Sequence, residues 1–303
     1  MVLDSSIRGV TTEQRRSALR RLLQAKRCLR VIEAHSPISA LLAERICFDG
    51  DGETVQYDAF WSSSLTDSTV RGMPDIEALD IRSRLPNIHE IFEVTTKPLI
   101  IDGDTGGQPE HFALNVAALE RTGVSAVIVE DKTGLKKNSL LGTSAGQRQE
   151  SITAFCHKLR MGKAAQVTAD FMIFARIESL ILTSGLGDAI ERALAYIDAG
   201  ADGIMIHSRQ KKPDEVMEFA ARLQAIHPGV PTVCVPTTYG QTYFSELETA
   251  GFNIVIYANH LLRAAYPAMQ TVALNILKHG RTLESEEKCL PIDEILQLIP
   301  GTK

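Results

Sequence analysis

The chain has 303 residues, 44% of them hydrophobic and 23% charged, with a net charge of -5. That balance suits a globule with a sizeable core, and its acidic sign argues against a nucleic-acid surface or a polybasic membrane patch. No apolar run approaches the roughly 20 residues of a membrane span, and the opening residues 1–9 lack the long apolar core of a signal peptide. Five cysteines (Cys28, Cys47, Cys156, Cys234 and Cys289) are scattered without a C-x-x-C pair. They read as reduced thiols of a cytoplasmic protein, neither a disulfide framework nor a zinc site.

After an N-terminal helical extension over residues 1–27, the first β-rich run spans 29–34. An Asp/Gly-rich stretch at 48–54 reads as an insertion before the second run, 55–61. The third and fourth runs, 98–101 and 126–129, flank an amphipathic stretch at 112–121. The fifth and sixth, 171–175 and 203–206, flank another at 187–198, closed by Gly200. Helical patterns at 214–226 and 244–250 then alternate with the last two runs, 231–235 and 254–257, and an apolar helix over 260–277 follows. The runs do not alternate strictly, as expected of strands buried on both faces of a parallel sheet. Eight strands alternating with helices predict an α/β fold of the (β/α)8 TIM-barrel type, as one domain over 1–303.

Barrel enzymes gather their chemistry at the C-terminal ends of the strands. Here the predicted ends are rich in polar groups: Glu33 and His35, Ser62 to Ser64 after Trp61, Asp102 and Asp104, Glu130 to Lys132, Arg176 and Glu178, His207 to Arg209, Thr237 to Tyr239, and Asn259. Singly, Ser36, Thr237 or Asn259 reads equally well as a helix cap, His207 as a core histidine, and Arg176 as half of an ion pair. Together they would be costly to bury without purpose. Asp102 and Asp104 are two apart on an extended chain and would project on the same side. With Glu130 from the next strand they predict a cluster of three carboxylates whose repulsion calls for a cation. Oxygen-only ligands select Mg²⁺, or Mn²⁺, over zinc. The loop over 132–139 adds Lys132, Lys136, Lys137, Asn138 and Ser139, which suits a mobile segment closing over a small anion.

The motif E-D-K-x-x-x-K-x-N-S falls at Glu130, Asp131, Lys132, Lys136, Asn138 and Ser139. With D-x-D-T-G at 102–106 and the segments 175–178, 206–208 and 258–260, it resembles the phosphoenolpyruvate mutase/isocitrate lyase superfamily, most closely its mutases, over residues 28–300. The resemblance implies a Mg²⁺-dependent shift of a phosphoryl group between phosphoenolpyruvate and phosphonopyruvate, the entry step to carbon–phosphorus compounds. It implies Asp102 as direct metal ligand, with Asp75, Asp104 and Glu130 holding metal-bound waters. Arg176 and His207 would address the phosphoryl group and bridging oxygen. Ser63, Ser64 and Leu65, after Trp61, would hold the substrate carboxylate partly through backbone N–H groups. Lys136, Asn138 and Ser139 would ride on a lid. A last barrel helix swapped between subunits of a homodimer or homotetramer is also implied.

Lyases of this superfamily typically carry K-K-C-G-H in the lid, and the chain has neither that cysteine nor that histidine. Phosphonopyruvate hydrolases typically place threonine where Asn138 stands; an oxaloacetate hydrolase is a weaker alternative. A non-catalytic barrel would require a damaged site, and no expected ligand is missing. Two departures stand out. Ser64 occupies a position where the resemblance expects glycine, a restriction if the backbone there needs a positive φ. The loop after Asp104 is shortened to Thr105, Gly106, Gly107 and Gln108.

Overall fold

The computed structural model describes residues 10–50 and 52–299. Its parallel strands are β1 (Leu29–Glu33), β2 (Ala59–Ser62), β3 (Leu99–Asp102), β4 (Ala126–Glu130), β5 (Met172–Ile177), β6 (Gly203–Ile206), β7 (Thr232–Cys234) and β8 (Ile254–Tyr257). They pair in chain order, and β8 pairs back to β1 with Leu29 beside Ile254, so the sheet closes into the expected (β/α)8 barrel. Helices Pro109–Thr122, Ile152–Ala165, Gly185–Asp198 and Asp214–Ile226 are among the crossovers that cover it. Gly200 and Gly251 end two of these crossovers with φ of 101° and 104°, a left-handed turn that a Cβ would strain.

Each strand alternates between two apolar environments. Val31, Trp61, Ile100, Ile128, Phe174 and Met205 belong to the cluster inside the barrel. Ile32, Phe60, Ile101, Val127, Ile173 and Ile204 belong to the larger cluster shared with the helices. The strands lack visible hydrophobic alternation in sequence because both faces are buried. One further step of the two-residue period carries the inward face from Val31 to Glu33, Ile100 to Asp102, Ile128 to Glu130, Phe174 to Arg176 and Met205 to His207. The barrel's own pleat therefore aims these polar side chains over its packed interior.

The opposite end is closed by the N-terminal helix, Thr12–Ala25, started by a capping box between Thr11 and Gln14. Its Leu19 is fully buried in the interior cluster. Buried Arg15 donates to the carbonyls of Lys97 at 2.8 Å, Phe92 at 3.2 Å and Thr95. The expected extension over 1–27 thus contains a helix that plugs the barrel; its residues 1–9 lie outside the described ones.

The run expected as a second strand over 55–61 is two pieces. Cys47–Gly50 and Glu53–Gln56 form an antiparallel hairpin, so the 48–54 stretch is an arm outside the barrel. The barrel strand begins only at Ala59, after Asp58 accepts the Arg30 N–H at 2.8 Å and pairs with Lys26. The helix after β8, His260–His279, has no buried residue, and Tyr266, Met269, Leu274 and Leu277 are exposed. Among the described residues no helix is long and apolar enough to cross a membrane.

Candidate active site

The strand ends and two loops enclose a cavity of about 60 Å³. Trp61, Met205 and Val235 supply its apolar floor and Leu65 lines it too, while Ser63, Ser64, Asp75, Asp102, Glu130, Lys136, Asn138, Ser139 and Arg176 bring polar side chains to the same space. Asp104 and His207 do not line it but touch residues that do: Asp104 meets Lys136, and His207 meets Arg176.

One half is an acidic nest filled by an ammonium. Lys136 contacts Asp75, Asp104 Oδ1 at 2.8 Å and Ser64 Oγ at 3.0 Å. Burial alone would lower the Lys136 pKa, but Asp104, Asp102, Glu130 and Asp75 outweigh it and drive it up. Asp102 accepts from Ser64 Oγ at 2.9 Å and from the Asp104 N–H at 3.1 Å. Burial opposes its ionisation, yet Lys136, Arg176 and Arg84 hold its pKa below the usual carboxylate range. Asp104 is pushed up to about 6 by burial and by the like charge of Asp102.

The other half is built on β4, β5 and the segment after β6. Arg176 Nε donates to Glu178 Oε1 at 2.6 Å, and its Nη2 to Ser139 Oγ at 2.6 Å and His207 Nδ1 at 2.9 Å. A guanidinium only donates, so His207 Nδ1 accepts and the ring proton sits on Nε2. Burial, with the Arg176 charge beside it, depresses His207 to about 3, so the ring is neutral. Burial raises Glu178, but Arg176 and Lys132 outweigh it and bring it to about 2. Glu130 is pushed up to about 7 by burial, with Arg176 and Lys132 pulling against it.

The lid follows β4. A short antiparallel pair, Lys132–Thr133 with Arg148–Gln149, frames it, and a 3₁₀ segment, Ser139–Ala145, lies between. Asn138 caps that segment by accepting the Leu140 N–H at 3.1 Å, while its Nδ2 donates to Asp75 Oδ2 at 3.0 Å. Ser139 donates to Glu178 Oε2 at 2.5 Å. Lys132 Nζ donates to the Lys137 carbonyl at 2.8 Å, Ser139 Oγ at 2.9 Å and Gln147 Oε1 at 2.8 Å. These bonds hold the loop, expected as a lid, over the cavity.

The expected carboxylate cluster needs correcting. β3 ends at Asp102, and Asp104 adopts a left-handed backbone with φ 51°, so the two do not project together from an extended chain. Among the described residues no three His, Cys, Asp or Glu side chains gather closely enough to hold an ion by themselves. The donors still suit a hard cation bound largely through water, as Mg²⁺ commonly is. Asp104 Oδ1 and Glu130 Oε1 are buried without an aligned hydrogen bond; each has only an ion pair, with Lys136 and with Lys132 at 3.1 Å.

Other strand ends serve the frame. Ser36 caps helix Pro37–Arg45, and Glu33 Oε2 accepts the Leu261 N–H at 3.0 Å and the Leu262 N–H at 3.3 Å at the start of helix His260–His279. Asp131 is enclosed by Gln149, Arg192, Tyr196 and the Glu178 N–H. Ser64 opens helix Ser64–Thr69 and is absent from the positive-φ residues, so no glycine is required there. Sequence reasoning missed Arg84 entirely. It is fully buried, donates to Asp67 at 2.8 Å, the Ser62 carbonyl at 2.7 Å and the Asp102 carbonyl, and fixes the end of β3 from below. An arginine inside a helix gives no sequence signal of such a role.

Residues 19–277 match the family model described as phosphoenolpyruvate phosphomutase. The chain is similar to a phosphonopyruvate hydrolase of Variovorax sp. (strain Pal2), 36% identical over 286 residues covering 93% of each chain. Its structure is similar to that of a phosphoenolpyruvate phosphomutase from Streptomyces platensis subsp. rosaceus, with a TM-score of 0.84, 37% identity and 93% of each chain covered. It is also similar to a phosphonopyruvate hydrolase in complex with oxalate and Mg²⁺, with a TM-score of 0.81, 34% identity and 95% of each chain covered.

Proposed function

This chain belongs to the phosphoenolpyruvate phosphomutase family, and we propose that it interconverts phosphoenolpyruvate and phosphonopyruvate as a cytoplasmic enzyme of phosphonate biosynthesis. The observation that carries this reading is the state of Asp75. One of its oxygens pairs with Lys136, and the other accepts the Asn138 amide at 3.0 Å. A carboxylate so engaged is poorly placed to take a proton from water, and equally poor as a nucleophile toward a phosphoryl group. That favours direct transfer through a loose, metaphosphate-like state, in which positioning and charge stabilisation dominate.

We assign Asp102 as the direct ligand of Mg²⁺, with Asp75, Asp104 and Glu130 holding its waters; Mn²⁺ suits the same oxygens. When bound, the cation supplies charge stabilisation to the pyruvate enolate. Arg176 and Lys136 offset negative charge on the phosphoryl oxygens. His207, neutral with its proton on Nε2, donates toward the bridging oxygen. The Ser63–Leu65 segment holds the substrate carboxylate beside Trp61. Lys136, Asn138 and Ser139 shut the lid and keep water from intercepting the transferring group. Exposure of Met269, Leu274 and Leu277 on helix His260–His279 supports a homodimer or homotetramer in which this last barrel helix packs on a second copy.

The 36% identity to a phosphonopyruvate hydrolase favours hydrolysis as the second reading. Phosphonopyruvate with Mg²⁺, followed by phosphorus NMR, separates the two. Formation of phosphoenolpyruvate is the expected result; direct release of inorganic phosphate would overturn it in favour of the hydrolase.

A further inference from the structure

Buried Ser64 places its hydroxyl between two groups on which the site depends. Its Oγ lies 2.9 Å from Asp102 Oδ2 and 3.0 Å from Lys136 Nζ. The directions are forced: an ammonium only donates, an ionised carboxylate only accepts, and a hydroxyl does one of each. Asp102 ends a barrel strand, whereas Lys136 rides on the lid. Without the hydroxyl, one Lys136 N–H loses its buried partner, and Asp102 Oδ2 keeps only the Ser64 N–H at 3.4 Å.

We propose that Ser64 is a positioning residue whose hydroxyl couples closure of the lid to the orientation of Asp102, and through it to the affinity of the site for a divalent cation. This inference rests on the metal assignment under the proposed function. It gives a specific role to the side chain that stands where the resemblance expected glycine.

The test uses the full chain without substrate, as Ser64→Ala, Lys136→Met and the double variant. Losing a hydrogen bond to a charged group should speed amide exchange across residues 134–147 of the metal-free Ser64→Ala protein roughly tenfold. On the Lys136→Met background the same change should add less than about twofold, because the partner is already gone. Mn²⁺ affinity, read by electron paramagnetic resonance, should fall about tenfold in Ser64→Ala, as for loss of a group that orients a ligand. Unchanged exchange in Ser64→Ala, an equal increase on both backgrounds, or undiminished Mn²⁺ affinity would each overturn the coupling, as would a parent protein that binds no Mn²⁺. A parent that releases phosphate from phosphonopyruvate sinks the mutase reading and leaves the coupling intact, since neither readout involves substrate.

Discussion

The two halves of the site neutralise buried carboxylates in opposite ways. Around Glu178 the compensating charge is Arg176, two residues away on the same rim and bonded to it at 2.6 Å. Around Asp75, Asp102 and Asp104 it is Lys136, carried on the lid. The first arrangement is fixed when the barrel folds. The second draws in addition on Lys136 from the loop after β4, and so is conditional on that loop lying where it does. On the proposed function, the rigid charge is where an anionic phosphoryl group would be held, and the conditional charge is where metal and loop would meet.

The most severe break of this contrast is Asp102→Ala. It should abolish metal-dependent turnover, a loss of about a thousandfold or more, because it removes the assigned direct ligand of a group worth several kcal/mol in the transition state. Steady-state kinetics over a Mg²⁺ titration checks it, and turnover within tenfold of the parent would refute the assignment. Arg176→Lys attacks the rigid half while conserving charge. An ammonium cannot reproduce the fork that reaches Glu178, Ser139 and His207 together, so kcat/KM should fall on the order of a hundredfold. Near-normal kcat/KM would reduce Arg176 to a point charge. Asn138→Ala works on the conditional half, freeing one oxygen of Asp75; transfer should drop about tenfold or more, with a growing share of phosphate release in the phosphorus spectrum. An unaltered product ratio would remove Asn138 from the distinction between transfer and hydrolysis.

The smallest effect concerns stability. The folded His207 titrates near 3, against an ordinary value of about 6.5 in the unfolded chain. Above about pH 6.5 both states hold the ring neutral. As pH falls from there toward 3, the unfolded chain takes up a proton that the folded one refuses, so stability declines across that window. His207→Gln removes this contribution. Denaturant midpoints measured from pH 7 to pH 4 should therefore fall more steeply in the parent than in the variant, and parallel slopes would contradict the burial of a neutral ring.

Much of the barrel could be read before any coordinates. The apolar runs near β3, β4, β6 and β8 lie within a residue or so of the observed strands, because a strand buried on both faces must be apolar along its length. The expected second strand starts too early because Val55 reads like the start of a barrel strand, whereas it pairs with Phe48 in a hairpin arm. Asp102, Glu130 and Arg176 were legible because charge at the end of a buried strand is rare without purpose. Asp104 reaches the site by a different route from the expected one: alternation holds only inside a strand, and its backbone has already turned left-handed.

By itself the amino-acid sequence determined the barrel and its polar rim, since both follow from periodicity and from the cost of burying charge. It also contained the lid motif, whose composition suits a small anion. Only the tertiary structure decided which charges meet. Arg84 reaches Asp102 from helix Ile81–Glu93, Lys136 enters a nest assembled from two loops and the start of helix Ser64–Thr69, and Ser64 stands between Lys136 and Asp102. Such partnerships span tens of residues and depend on chain closure, which no local pattern encodes.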